Sequence, residues 1–182
     1  MSRTDLTLAA AAALLLAGSA LAGPTLAAQE PAPNPMEKLA FLVGQWQGEA
    51  WIQMGPEKRD TVQQKETIEW ALEGEVLLIR GVGTESGAGG EKVVHNAVAT
   101  LAWDPLRQAY SMWTYAAGRG VAQPEVEVGE NRLVWSMTVA GGRRVRYTAR
   151  LDEQGRWVET GETSTDEGAT WHPFLGMTLT RQ

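Results

Sequence analysis

The sequence predicts an all-β protein, an antiparallel up-and-down β-barrel of about ten strands entered by one short helix. Three observations carry this reading. From residue 44 onward the apolar residues recur with a period of two, not with the helical period. The alternating runs follow one another at roughly 10–14-residue spacing, joined by short turns rich in Gly, Asn and Asp. A long meander with one apolar face leaves two exposed edges unless it curls and closes, so a barrel is favoured over an open sandwich.

Residues 35–43, PMEKLAFLV, are the expected helix. Pro35 suits a helix start, and Leu39, Leu42 and Val43 share a face. The first strand, 44–52, sets Trp46, Gly48, Ala50 and Ile52 against Gln47, Glu49 and Trp51. The second, 62–72, has Ile68 and Trp70 on one face and Lys65, Thr67 and Glu69 on the other. Glu73-Gly74 turns the chain into 76–82, and strands over 93–103, 108–117 and 125–128 follow. Asp104-Pro105 and Gly129-Glu130-Asn131 supply turns. Leu133, Trp135, Met137 and Val139 alternate next, and Gly141-Gly142 is a hairpin signal. Then Val145, Tyr147, Ala149 and Leu151 oppose Arg144, Arg146, Thr148 and Arg150. Gln154-Gly155 leads into 157–163, and Asp166-Glu167-Gly168 into 171–181. Arg and Glu on the outer phases argue against a lipid-facing, transmembrane barrel.

Composition bounds the function. The 182 residues suit one domain plus a processed segment, and 43% hydrophobic residues suffice for a core. The absence of cysteine excludes disulfides, thiol catalysis and cysteine-held metal. A net charge of -6 argues against a nucleic-acid partner. Residues 6–28 are uncharged and contain LAAAAALLLA, followed by small residues suited to cleavage at 22/23 or 27/28. This is the layout of a signal peptide over 1–28, with a retained anchor as the alternative. A Pro-rich linker over 29–35 then precedes a domain over 36–182. The expected destination is periplasmic or secreted, with no integral membrane span after processing.

Both ends of the barrel carry a resemblance. Phe41 to Gly48, FLVGQWQG, resembles the opening of lipocalins and other calycins, where a short helix leads into Gly-x-Trp. The resemblance implies that Trp46, after Gly44, plugs the barrel base and that Arg181 on the last strand lies across its ring. The span 36–182 further resembles the bacterial family called domain of unknown function 1579. The matching stretches are Leu42 to Gly48, Glu73 to Leu78, Trp103-Asp104-Pro105, and Glu162 to Trp171. The last holds one residue more than the family pattern, Glu167. Nitrobindin-type calycins bind haem through a histidine on the last strand. His172 lies on that strand here, but out of phase with Met177, Leu179 and Arg181, so neither haem nor another cofactor is expected.

Catalytic signatures are absent: there is no nucleophile elbow, no zinc-protease helix and no phosphate loop. Gly81-Val82-Gly83 with Gly87, Gly89 and Gly90 reads as a flexible hairpin tip. Two histidines, His95 and His172, are too few for a three-histidine zinc site, and no metal is expected. Polar residues on inward phases are the best site candidates. With Ile68 and Trp70 inside, Gln64 and Glu66 are inside too. With Val76, Leu78 and Val82 inside, Arg80 is inside and Glu66 is its natural partner; with Leu77 and Ile79 inside, Arg80 faces solvent. Trp113, Tyr115 and Tyr147 complete the candidate lining. The leading functional reading is a cavity that binds a small apolar or amphipathic molecule, because a ten-stranded barrel is wider than its side chains fill. The alternatives are a barrel isomerase or hydrolase and an envelope protein-interaction module.

Overall fold

The computed structural model of the protein describes residues 33–182. The expected signal peptide lies outside the described residues. The chain runs as a 3-10 helix (Pro35–Leu42) and then β1 (Gly44–Gln53), β2 (Arg59–Ala71), β3 (Val76–Gly87), β4 (Gly90–Asp104), β5 (Ala109–Ala116) and β6 (Gly120–Ala122). It continues through β7 (Glu125–Gly129), β8 (Arg132–Thr138), β9 (Arg144–Leu151), β10 (Trp157–Ser164) and β11 (His172–Arg181). Asn34 caps the helix, its side chain accepting from Met36 N at 3.0 Å. The helix is 3-10 rather than α, the tighter form used in short segments.

All eleven strands form one antiparallel sheet in the order β6-β5-β4-β3-β2-β1-β11-β10-β9-β8-β7. Neighbours in sequence are neighbours in space, and β1 and β11 bring the two ends of the domain together, with Trp46 opposite Arg181. The two edges, β6 and β7, are joined by only Gln123 and Pro124. Three Cα–Cα steps hold Ala122 and Glu125 within about 11 Å of each other. A sheet whose opposite edges are so tethered has to curl, and β5 packs beside β7. The fold is thus an all-β curled sheet of the lipocalin-like barrel type, as expected. Its hydrogen-bonded circuit stops at β6 and β7, which are three and five residues long. Edges this short offer little to a foreign strand.

Two details differ from expectation. The short β6 was not legible, because Gly118 and Gly120 both take positive φ around a three-residue segment. The β3–β4 hairpin is longer than 76–82 and 93–103, since Gly81 and Gly83 lie within β3 and the tip falls at Gly87–Gly90.

The core occupies the helix end of the barrel. Leu39, Leu42, Trp46, Ile68, Leu77, Leu101 and Leu179 are fully buried, with Met36 from the helix and Met112 from β5 beside them. The Tyr110 hydroxyl donates to Pro35 O at 2.6 Å and ties the helix to β5.

Candidate functional site: the barrel interior

One end of the interior is sealed. The Trp46 indole N–H donates to Leu42 O at 2.7 Å, which fixes the ring under the helix. The Arg181 guanidinium lies 4.1 Å from the Trp46 ring centroid. It also donates to Phe41 O at 3.0 Å and to Val43 O. One cation therefore covers the indole and satisfies carbonyls left over at the helix end. Gly44 takes φ +140°, and a Cβ there would meet Arg181 Nη1 at 2.6 Å, so the chain passes under the guanidinium only as glycine.

Beyond this seal the inward faces become polar. Gln64 and Glu66 on β2 lie opposite Gly83 and Gly81 on β3. A Cβ at Gly81 would sit 2.5 Å from Glu66 Oε1, and one at Gly83 2.6 Å from Gln64 Oε1. Both polar side chains thus lie flat over a strip of bare backbone. Gly81 and Gly83 are not hairpin-tip residues but the floor on which these side chains rest. Gln64 Nε2 donates to Glu66 Oε1 at 2.7 Å.

A second inward carboxyl stands on β10, which β1 and β11 separate from β2. Glu159 on β10 sits between Trp157 and Gly161, opposite Met177 and Ala149. Its carboxyl is enclosed, although the residue as a whole keeps some accessible surface. Burial pushes Glu159 up to about 8, and the charge of Glu66 adds to the rise. Burial likewise pushes Glu66 up to about 7, partly offset by the Gln64 hydrogen bond. The Trp157 indole N–H favours the charged form of Glu159 but falls short of full hydrogen-bond geometry. Among the described residues Trp157 Nε1 is the buried side-chain polar atom with no partner.

An aromatic wall continues from this pair. Tyr147 stacks on Trp135 with centroids 3.7 Å apart, and Phe174 meets Tyr147 edge-on at 5.6 Å. Gly161 faces them: a Cβ there would lie 3.1 Å from Phe174 and 3.2 Å from Tyr147. Burial pushes the Tyr147 phenol up to about 12, so it remains a donor. His95, paired with Gly83, is lowered by burial and by Arg119, so its ring is neutral at pH 7. Tyr147, Trp135, Phe174, Glu159 and His95 all retain accessible surface, unlike the sealed end.

This architecture has a solved counterpart. The fold is similar to that of Rv2717c from M. tuberculosis. The crystal structure of that protein matches with a TM-score of 0.56 at 14% identity, over 81% of this chain and 98% of the other. At that identity the likeness speaks for the fold alone. No family model matches the chain, and no curated protein does.

The expected site residues divide between the two faces. Glu66 and Tyr147 are inside. Arg80 is not: it is exposed and its Nη1 lies 2.6 Å from Glu69 Oε1 on the outer face. The phase with Leu77 and Ile79 inside is the one adopted, because Leu77 enters the core completely. The Glu66–Arg80 pair therefore does not form. Trp113 and Tyr115 are also on the outer face, 42% and 51% exposed, since Met112 takes the inward phase of β5. His172 is exposed at the start of β11.

Gln64 is inside with Glu66, as its phase predicts, whereas Glu159 and Trp157 are interior groups that the sequence did not single out. The signal for Glu159 was present, since it shares the phase of Trp157 and Gly161. Arg146 does pair with Glu162, at 2.7 Å, on the opposite phase. The 162–171 motif is absorbed by its own loop. Ser164 Oγ donates to Asp166 Oδ1 at 2.7 Å, Asp166 accepts from Thr170 N at 2.9 Å, and Arg146 stacks on Trp171 at 4.1 Å.

Two depressions lie away from this interior. One of about 610 Å³ lies between the helix and Gly129–Asn131, and one of about 320 Å³ lies at the β3–β4 tip. Both open to solvent, and neither contains a group from the polar interior. Among the described residues no helix is long and apolar enough to cross a membrane.

Proposed function

We propose that the protein is an exported small-molecule-binding barrel of the domain of unknown function 1579 type. Its ligand enters the half of the interior opposite the Trp46–Arg181 seal. The observation that carries this reading is the Trp157 indole N–H, 4% exposed as a residue and without a partner, beside two enclosed carboxyls. Buried polar groups are normally satisfied, and those that are not commonly meet a ligand or water. The aromatic wall of Trp135, Tyr147 and Phe174 supplies the apolar part of such a site.

The test is binding of a neutral, apolar fluorophore, N-phenyl-1-naphthylamine, to the purified mature domain. One probe per chain is expected, with quenching of tryptophan emission. Tyr147→Ala should weaken the binding at least several-fold, because it removes the ring stacked on Trp135 and met edge-on by Phe174. Absence of probe binding to a folded wild-type protein would overturn the reading. A second reading, an isomerase or hydrolase, draws support from the same two carboxyls, whose raised pKa values suit proton transfer near neutral pH.

A further inference from the structure

We propose that the carboxyls of Glu66 and Glu159 form the head-group end of this site, and that the molecule it takes is an organic cation: a primary or secondary ammonium on an apolar body. The inference rests on the reading that the interior is a ligand site, and it adds the chemistry of the ligand.

The argument starts from what the two carboxyls lack. Neither belongs to a salt bridge among the described residues. Gln64 acts on Glu66, and Glu66 and Trp157 act on Glu159; no basic side chain is among these groups. The inward residues of the neighbouring strands explain this: Trp46, Gly48 and Ala50 on β1, Gly81 and Gly83 on β3, Met177 and Leu179 on β11, where the in-phase cation Arg181 is engaged by the Trp46 ring and the Phe41 and Val43 carbonyls. The titratable groups that do face the space are His95 on β4 and Tyr147 on β9, and the nearby cations Arg119 and Arg143 act on Tyr147 rather than on the carboxyls. Two buried acids with no internal counter-charge are half of an ion pair.

The other donors are set for the ionised state. Gln64 Nε2 already donates to Glu66. The unpartnered Trp157 N–H is directed at Glu159 and strengthens once that carboxyl carries charge. What both carboxyls lack is a positive donor. A metal ion fits poorly, since among the described residues no three acidic or histidine side chains converge. An ammonium needs only the two carboxylates, and its organic body meets the Trp135, Tyr147 and Phe174 rings, whose faces also favour cations.

The experiment compares octylamine, 1-octanol and octanoate as displacers of the bound N-phenyl-1-naphthylamine. At about pH 9, where both carboxyls are ionised, octylamine should displace at least ~10-fold better than octanol, and octanoate should be weakest. At about pH 5 the amine is still charged but the carboxyls are not, and the advantage should fall to within about threefold. Glu66→Gln with Glu159→Gln, which keeps shape, should remove the advantage at both pH values, each displacer being read against the variant's own affinity for the probe. If the probe binds but octylamine gains nothing over octanol, or octanoate displaces best, the head-group assignment is overturned and the cavity stands. If the probe does not bind at all, both fail together.

Discussion

Arg181 shows how much one side chain is asked to do at the sealed end of the barrel. It covers the Trp46 ring and supplies donors to two carbonyls of the helix exit. Replacing it by alanine should lower stability by about 1–3 kcal/mol, the sum of a cation–π contact and hydrogen bonds to exposed carbonyls. Lysine should recover only part, because an ammonium cannot lie flat on the indole while serving both oxygens. Urea unfolding measures both; equal midpoints for the alanine and wild-type proteins would remove the seal from the account. Trp113 and Tyr115 give the contrasting case. Their side chains stand on the outer face, so either alanine variant should change stability by less than about 0.5 kcal/mol and leave probe binding unchanged. A large loss of probe binding in Trp113→Ala would place the site outside the barrel.

The strands carry their own prediction, because Glu66 and Glu159 are held on β2 and β10 in a shared interior. Both carboxyls bind a proton more tightly in the fold than in the unfolded chain, where the ordinary value is 4.5. Their stabilising contribution is therefore complete below that ordinary value and is lost as pH rises through about 7 and about 8. The unliganded protein should melt at a lower temperature near pH 9 than near pH 5, and the double glutamine variant should show a flatter profile. A wild-type profile that matches the variant's would mean that the carboxyls are solvated. The strands themselves were largely legible in the sequence, since a period of two survives wherever one face is buried, as along Leu133, Trp135 and Met137. The site was less so. Phase alone placed Glu66 inside, but both faces of β3 are apolar, so the direction of Arg80 rested on a tie that only the packing of Leu77 resolves. Glycines at Gly81 and Gly83 looked like a turn because single-strand patterning cannot show a side chain from β2 lying across them.

At the scale of the whole molecule, the order of strands sets where the fold opens. β2, β1 and β11 stand in the middle of the sheet, paired on both sides and stacked over the sealed core, whereas β6 and β7 are edges joined through Gln123 and Pro124. Local opening follows the number of buried contacts and paired amides a segment would have to give up. Amide exchange should therefore be slowest in β1, β2 and β11 and fastest in β6 and β7, with β5 and β8 between. The same gradient bears on ligand entry. The sealed end is closed by Trp46, Arg181 and the helix, so a molecule reaching Glu159 comes either through the opposite mouth or across the β6–β7 seam. Entry by the mouth leaves the seam amides as labile with probe bound as without it, and protection then rises on β9 and β10, which carry Tyr147 and Glu159. Entry across the seam requires the edges to part, and bound probe would then slow exchange in β6 and β7 as well. We expect the first pattern, because the inward residues that keep accessible surface, Trp135, Tyr147, Glu159 and Phe174, stand on β8 to β11 and not on β6 or β7. Slowing confined to the seam would instead assign the site to the outer face of the edge strands.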